Sequence, residues 1–366
     1  MFDRILDWMR RRIQGRPFEA IQIEVTTRCV NRCVMCPRTV LADEWPQMDL
    51  LWEAFQRIAR AFDLAQHVHL QGWGEPLLHP RIFDMIAAAK GAGCRVGLTT
   101  NGMRLDPEVG ERLLDLDLDL IAISIAAATR ETHESIRVGS DFPLILENVR
   151  RFVSLRARRG RKRPKVEFSY LMTKTNMAEL PKAVELAASL GVDELYAINL
   201  DYVVTREHED LKAFGCPELR EGFLHIIDDA RAIARRSGIT FRPYPLDPEE
   251  VAICESNPLK ILFVACDGWV SPCTYLGLSG RTSIPRYFEG RAITVPRLRF
   301  GNVLQQDLMD VWNSPAYRAF RQQFERRRLE VGARNLLVVI GDERASDLEM
   351  PPPPKPCHTC YKLYGL

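Results

Sequence analysis

The chain has 366 residues, 46% hydrophobic and 27% charged, which suffices to bury a substantial core in one large domain or two moderate ones. Its 50 basic and 48 acidic residues leave a formal net charge of +2, without the basic excess of a dedicated nucleic-acid binder, so no nucleic-acid partner is expected. No run approaches the roughly 18 uninterrupted apolar residues of a membrane span, so no transmembrane segment is expected either.

Residues 1–17 place Phe2, Ile5, Leu6, Met9 and Ile13 among Arg4, Arg10, Arg11 and Arg12. This is the pattern of a short basic amphipathic helix, packed on the domain or lying on an anionic surface. It lacks the apolar stretch and cleavage site of a signal peptide, and the expected location is cytoplasmic. From Ala20 to about Leu200, β-rich runs alternate with helical patterns. The predicted strands are Ile21–Thr26, His67–Gln71, Arg95–Thr99, Leu120–Ile125, Val166–Leu171 and Glu194–Asn199. Helices are predicted between them, for example over Leu51–Ala61, Pro80–Ala92, Pro107–Leu114, Asp141–Arg156 and Ala178–Leu190. Such alternation predicts an α/β fold for residues 18–215, a partial (βα)6 TIM-like barrel with right-handed crossovers. Its chemistry is expected at the C-terminal ends of the strands.

Arg156 to Lys165 reads as a basic, solvated turn before the fifth strand. Residues 216–250 form a bridging segment, with a helix over Leu219–Ser237 and one strand. After Glu250 short strands, glycines and prolines take over, and residues 251–366 are expected to form a small separate module. Pro351–Pro354 is a stiff spacer before the last cysteine pair. The stretch Val331–Met350 has no pattern that assigns it.

Ten cysteines, most of them in two distant groups, read as metal ligands rather than disulfides in a chain without an export signal. Cys29, Cys33 and Cys36 follow a C-x3-C-x2-C spacing just after the first strand. Three thiolates in one loop can hold three irons of a 4Fe–4S cluster and leave the fourth open to a small molecule. Structural zinc is the alternative, but it wants a fourth ligand that this loop does not supply. The second group is Cys254, Cys266, Cys273, Cys357 and Cys360, where four thiolates suit either zinc or iron–sulfur. Cys266 lies within a β-like run, ILFVACDG, and reads as a packed thiol; Cys94 and Cys216 read as small buried hydrophobes.

The first loop, EVTTRCVNRCVMCPRT, resembles the signature of the radical S-adenosylmethionine (radical SAM) superfamily. Further stretches agree in order. QGWGEPLLHP resembles the family's GGEP motif through Gly74, Glu75 and Pro76, with Trp73 in place of the first glycine. TTNGM, containing Asn101, follows the third strand. SIAAATRETHESIR follows the fourth, where relatives often read Ser-x-Asp-Gly; Ala126 and Ala127 depart from that pattern. The resemblance implies that the Gly74–Pro76 motif holds the methionine amino group. It implies that Ser124 and Arg137 bind ribose and carboxylate, and that Met35 sits near the adenine. Cys254-x13-Gly268-x4-Cys273, GNVLQQDLMDVWNSPAYRAFRQQF and the final CHTC are similar to the family's SPASM and twitch modules. With the chain ending soon after Cys360, the cysteine count fits one auxiliary 4Fe–4S cluster on Cys254, Cys273, Cys357 and Cys360.

The resemblance implies an enzyme that reductively cleaves S-adenosylmethionine to a 5′-deoxyadenosyl radical, which abstracts hydrogen from substrate. A second, closed cluster implies an oxidative reaction, dehydrogenation or cross-linking of a peptide, protein or small molecule. A low-potential electron donor of the flavodoxin or ferredoxin type is an expected partner. The alternatives are a cofactor-biosynthesis enzyme forming C–C or C–S bonds and a non-catalytic iron–sulfur protein. The short stretch before the first strand shows no pattern of a peptide-recognition domain, and none is expected there. A general base is expected. Thr274 and Tyr275 stand where some sulfatase-maturing relatives have an acidic residue, and Asp201, Tyr202 and Asp267 are candidates by position alone.

Overall fold

A computed structural model describes residues 16–341 and 349–366. Residues 1–15 of the expected N-terminal helix, and 342–348 of the unassigned stretch, lie outside them. In chain order the elements are β1 (Phe18–Ile23), α1 (Trp52–Ala59), β2 (Ala65–Leu70), α2 (Ile82–Gly91), β3 (Arg95–Thr100), α3 (Pro107–Asp115), β4 (Leu120–Ile125), α4 (Arg130–Ile136), α5 (Phe142–Arg158), β5 (Lys165–Met172), α6 (Leu180–Ser189), β6 (Glu194–Asn199), α7 (Arg206–Leu211), α8 (Pro217–Ser237) and β7 (Thr240–Pro243). There follow β8 (Ile261–Val264), β9 (Trp269–Ser271), the hairpin β10 (Ser283–Phe288)–β11 (Arg291–Pro296), β12 (Gly301–Asn302), α9 (Leu308–Trp312) and α10 (Pro315–Val339).

Strands β1 to β7 pair in sequence order and all parallel, the layout of a TIM-like partial barrel. The sheet goes further than six strands. Segment 216–250, where a helix and one strand are expected, supplies α8 and β7, a four-residue strand ending in Pro243 that pairs with β6. On the opposite edge β8 joins β1 in parallel, β9 pairs antiparallel to β8, and β12 to β9. The strand expected over Ile21–Thr26 is shifted to Phe18–Ile23. Its last residues leave the sheet instead: the Leu50 amide donates to the Val25 carbonyl, and Thr26 bridges antiparallel to Asp49.

Alternation along the strands divides the sheet into two chemically different faces. Ile21, Ile23, Val68, Leu70, Val96, Leu98, Ile121, Ile123, Val166, Phe168 and Leu195 point outward and are buried in the main core. The residues between them, including Gln22, His69, Thr99, Glu167, Ser169 and Tyr196, line an inner cavity. Helix ends are set by local chemistry. Asp141 accepts the Leu144 amide (3.0 Å) to start α5, and Gly238 closes α8 at φ 69°. The basic loop lies at the N-terminal ends of the strands, away from the cavity's mouth. Three of its arginines are tied down: Arg159 to Asp115 (2.6 Å), Arg161 to Asp117 (3.4 Å) and Arg163 to Asp119 (2.9 Å). Among the described residues, no helix is long and apolar enough to cross a membrane.

Candidate active site

The loop after β1 is held from several sides. Arg28 forks onto Asp49 (3.0 and 2.6 Å), Arg32 N–H donates to the Val138 carbonyl (2.7 Å), and Val34 N–H to that of Ile136 (2.9 Å). Between these anchors Cys29, Cys33 and Cys36 face the cavity at the C-terminal edge of the sheet. Burial pushes the Cys29 thiol up, and burial together with the neighbouring Cys33 pushes Cys36 up to about 12. Thiols so crowded ionise readily only against a cation such as iron.

The other expected residues gather around them. Glu75, 2% exposed, accepts hydrogen bonds from the Thr100 hydroxyl (2.8 Å) and from the amides of Asn101 (2.7 Å) and Leu77 (3.1 Å). Pro76 opens the helical turn that Glu75 caps. Gly74 is pressed so closely against the first loop that an added Cβ would lie 2.1 Å from the Thr26 carbonyl oxygen. Asn101 directs its side-chain nitrogen at Cys29 Sγ (3.8 Å), and Arg137 a guanidinium nitrogen at Cys33 Sγ (4.0 Å). Ser124 and Met35 also line the cavity. Ala126 is buried beside Met35, Ile136, Leu171 and Leu200, so small apolar packing occupies the place where relatives often carry Asp.

The second cysteine group also meets. Burial, then Cys360, pushes Cys254 up to about 12; Cys357 is raised by burial and by Cys360, Cys273 and Cys254. Cys273 is raised by burial and by Cys360 and Cys254. Four thiols thus share one electrostatic neighbourhood. Cys266 stands apart, its Sγ donating to the Met48 carbonyl (3.4 Å), with acidic groups rather than cysteines among its perturbers. Cys94 is buried against the Phe62 carbonyl (3.1 Å). Among the described residues, no three His, Cys, Asp or Glu side chains are set around a single metal ion.

One cavity of about 620 Å³ runs from Cys29, Cys33 and Cys36 to Cys273. Several of its lining atoms are buried without a partner: both side-chain polar atoms of Asn31, Nε of Arg38 and Arg137, Nε1 of Trp73 and Oδ1 of Asn199. Unsatisfied polar atoms around a thiol-lined cavity fit a polar, charged ligand beside a cluster. Of the far wall, the sequence pointed to Asp201 and Tyr202 by position alone. Asp201 accepts from Lys362 Nζ (2.7 Å) and from the Tyr275 hydroxyl (3.1 Å). Glu255 accepts from Lys362 (3.1 Å) and from the Tyr196 hydroxyl (2.7 Å). Burial disfavours the Lys362 charge, but Asp201, Tyr275 and Glu255 outweigh it and hold the ammonium protonated. For Glu255, Tyr275 and Lys362 the sequence signal was proximity: each lies within two residues of a cysteine of the second group. Of the three base candidates, Asp201 and Tyr202 line the cavity, whereas Asp267 is gripped by Arg297 (2.6 and 2.7 Å) outside it.

A parallel partial barrel carries a thiol-lined cavity at its C-terminal edge and a second set of thiols at the far end. Residues 23–201 match the radical SAM superfamily and residues 254–334 match an iron–sulfur cluster-binding domain, SPASM. The chain thus carries a radical SAM domain followed by a SPASM-type module, domains that use 4Fe–4S clusters and S-adenosylmethionine. It is 29% identical over 308 residues, 82% of each chain, to a tungsten-containing aldehyde ferredoxin oxidoreductase cofactor-modifying protein of Pyrococcus furiosus. It is 27% identical over 283 residues, 71% of this chain and 84% of the relative, to a probable GTP 3′,8-cyclase of Saccharolobus islandicus. Solved structures share its fold, two of them as follows. Streptococcus suis SuiB bound to S-adenosylmethionine has a TM-score of 0.62 at 17% identity, covering 83% of this chain and 67% of SuiB. Native anSMEcpe with bound AdoMet has 0.60 at 15%, covering 82% of both.

Proposed function

We propose that this enzyme carries out an oxidative radical modification, a dehydrogenation or cross-link, on a substrate held between its two cysteine groups. The observation that carries the reading is the single cavity lined at one end by Cys29, Cys33 and Cys36 and at the other by Cys273. In this reading Cys29, Cys33 and Cys36 hold the first cluster, and Cys254, Cys273, Cys357 and Cys360 the auxiliary one. The matches to a radical SAM domain and to an iron–sulfur cluster-binding domain favour clusters over zinc at both sets. Gly74, Glu75 and Pro76 receive the methionine amino group of S-adenosylmethionine, Arg137 its carboxylate and Ser124 its ribose; Asn101 and Met35 complete its pocket. When bound and reduced by a flavodoxin- or ferredoxin-type donor, these cofactors supply a 5′-deoxyadenosyl radical that abstracts hydrogen. The chain's own contribution is to orient the substrate and exclude water and oxygen.

A second reading, modification of a cofactor or its precursor, is favoured by the full-length similarity to the Pyrococcus furiosus protein. On the far wall the cations are already held by carboxylates. Lys362 is engaged by Asp201 and Glu255, and Arg242 by Glu194 (2.8 Å) and Glu167 (3.7 Å).

The test is anaerobic reconstitution with iron and sulfide analysis and an assay of 5′-deoxyadenosine. About eight irons per chain are expected, about four for each cluster, with deoxyadenosine formed under a strong reductant. Cys29→Ala, Cys33→Ala and Cys36→Ala should each abolish deoxyadenosine. Cys357→Ala with Cys360→Ala should retain uncoupled cleavage without product; full product formation by that variant rules out a catalytic auxiliary cluster.

A further inference from the structure

Glu24 is a buried carboxylate that the reaction scheme above does not use. It lies one residue past β1, is 0% exposed, and collects donors from two separate parts of the chain. Its Oε1 accepts the backbone N–H of Trp73 (3.0 Å), the residue before Gly74 and Glu75. Its Oε2 accepts the backbone N–H of Cys266 (3.2 Å) and the Ser279 hydroxyl, both from the C-terminal module. Room for it is made by Gly72, where an added Cβ would fall 2.3 Å from Glu24 Cγ. Burial pushes the carboxyl above its usual range, while Ser279, Trp73 and Cys266 pull the other way.

The loop that Glu24 grips is clamped on its other side by the first cysteine loop. Gly74 abuts the Thr26 carbonyl, and the Glu75 N–H donates to the Arg28 carbonyl (2.7 Å), one residue before Cys29. Trp73 is thus anchored at one end of this short stretch and Glu75 at the other. A carboxylate used only to fill a core position would be replaceable by packed apolar atoms. Here it ties the cofactor loop to two other segments at once.

We infer that Glu24 is a positioning residue for S-adenosylmethionine, holding the Trp73–Glu75 loop in its binding shape and registering it on the C-terminal module through Cys266 and Ser279. The inference rests on the assignment of the Gly74–Pro76 motif to the methionine amino group. It needs neither the oxidative outcome nor a known substrate.

The test is calorimetric titration of S-adenosylmethionine into anaerobically reconstituted, full-length wild type, Glu24→Gln and Ser279→Ala. Glutamine keeps the shape but sets its amide against the donors of Cys266 and Ser279. Glu24→Gln is expected to weaken binding by about ten- to a hundredfold, the usual cost of losing an outer-shell support, with iron content and melting temperature close to wild type. At concentrations that saturate the wild type, it should not show the cofactor-induced change in the electron paramagnetic resonance of the first cluster. Ser279→Ala should weaken binding in the same direction and, combined with Glu24→Gln, add little. Unchanged affinity in Glu24→Gln, with or without a lowered melting temperature, overturns the inference and leaves Glu24 a purely structural group. If Glu24→Gln does not fold, Ser279→Ala decides: wild-type affinity there overturns it. Product formation without Cys357 and Cys360 would sink the oxidative reading yet leave these titrations untouched. A wild type that binds no S-adenosylmethionine overturns both.

Discussion

At the scale of single residues, position in the sheet decides how a charged side chain behaves. Glu167 and Glu194 are adjacent on neighbouring strands, yet their carboxyls move in opposite senses. Arg242 and Lys165 sit against Glu194, at 2.8 Å for Arg242, and their bonds outweigh burial to lower it. They lie 3.7 and 4.0 Å from Glu167, where burial and the charge of Glu194 raise the carboxyl to about 7. A raised carboxyl favours the protonated form in the fold. Its penalty is absent below the unfolded value of 4.5, grows through that window and is complete above about 7. Glu167→Gln should therefore raise the melting temperature at pH 8 and match wild type near pH 4; a shift equal at both pH values would contradict this. None of it was legible in the sequence, because an alternating strand shows which face a residue takes but not which cation reaches it. The cysteines were legible, because loop spacing alone places three thiols within reach of one cluster.

At the scale of elements, α10 acts as a clamp for the second cysteine group. It starts at the Ser314 cap, with Pro315 in the first turn, and buries Tyr317, Phe320 and Phe324. Farther along, the fully buried Arg327 donates to the carbonyls of Ala252 (3.1 Å), Val251 (2.9 Å) and Pro351, and to Glu250 (2.7 Å). One side chain thereby fastens the strand of chain leading to Cys254 and the one leading to Cys357. Arg327→Ala should cost about 1–3 kcal/mol for each carbonyl left buried without a donor, and should lower the iron bound at the auxiliary site while sparing the first cluster. Denaturant titration and iron analysis check both; loss of stability with full iron retention would refute the clamp. In sequence, residues 331–350 had no assignable pattern. The helix runs through Val339, and its last turns expose Leu336, Val338 and Val339, so no buried stripe was there to be read.

At the scale of the whole molecule, the C-terminal module is continuous with the barrel: β8 hydrogen-bonds to β1 in the same sheet. The unfolded chain holds neither cysteine set together, so cluster assembly on the folded chain adds to the stability of the fold. Removing iron with an anaerobic chelator is expected to lower the melting temperature, and more in wild type than in the Cys357→Ala, Cys360→Ala variant; an equal shift in both would contradict this. The sequence by itself determined the α/β class, the order of the first six parallel strands and the two sets of cysteines. Those depend on short-range regularities: the period of two along a strand, the apolar face of a helix and the spacing of ligands within a loop. Only the tertiary structure decided that the sheet extends to β7 and β8, that Glu24 joins the Trp73 loop to Ser279, and that Asp201 meets Lys362. These contacts join residues far apart along the chain, and no local pattern can specify which distant partners the folding of a sheet will bring together.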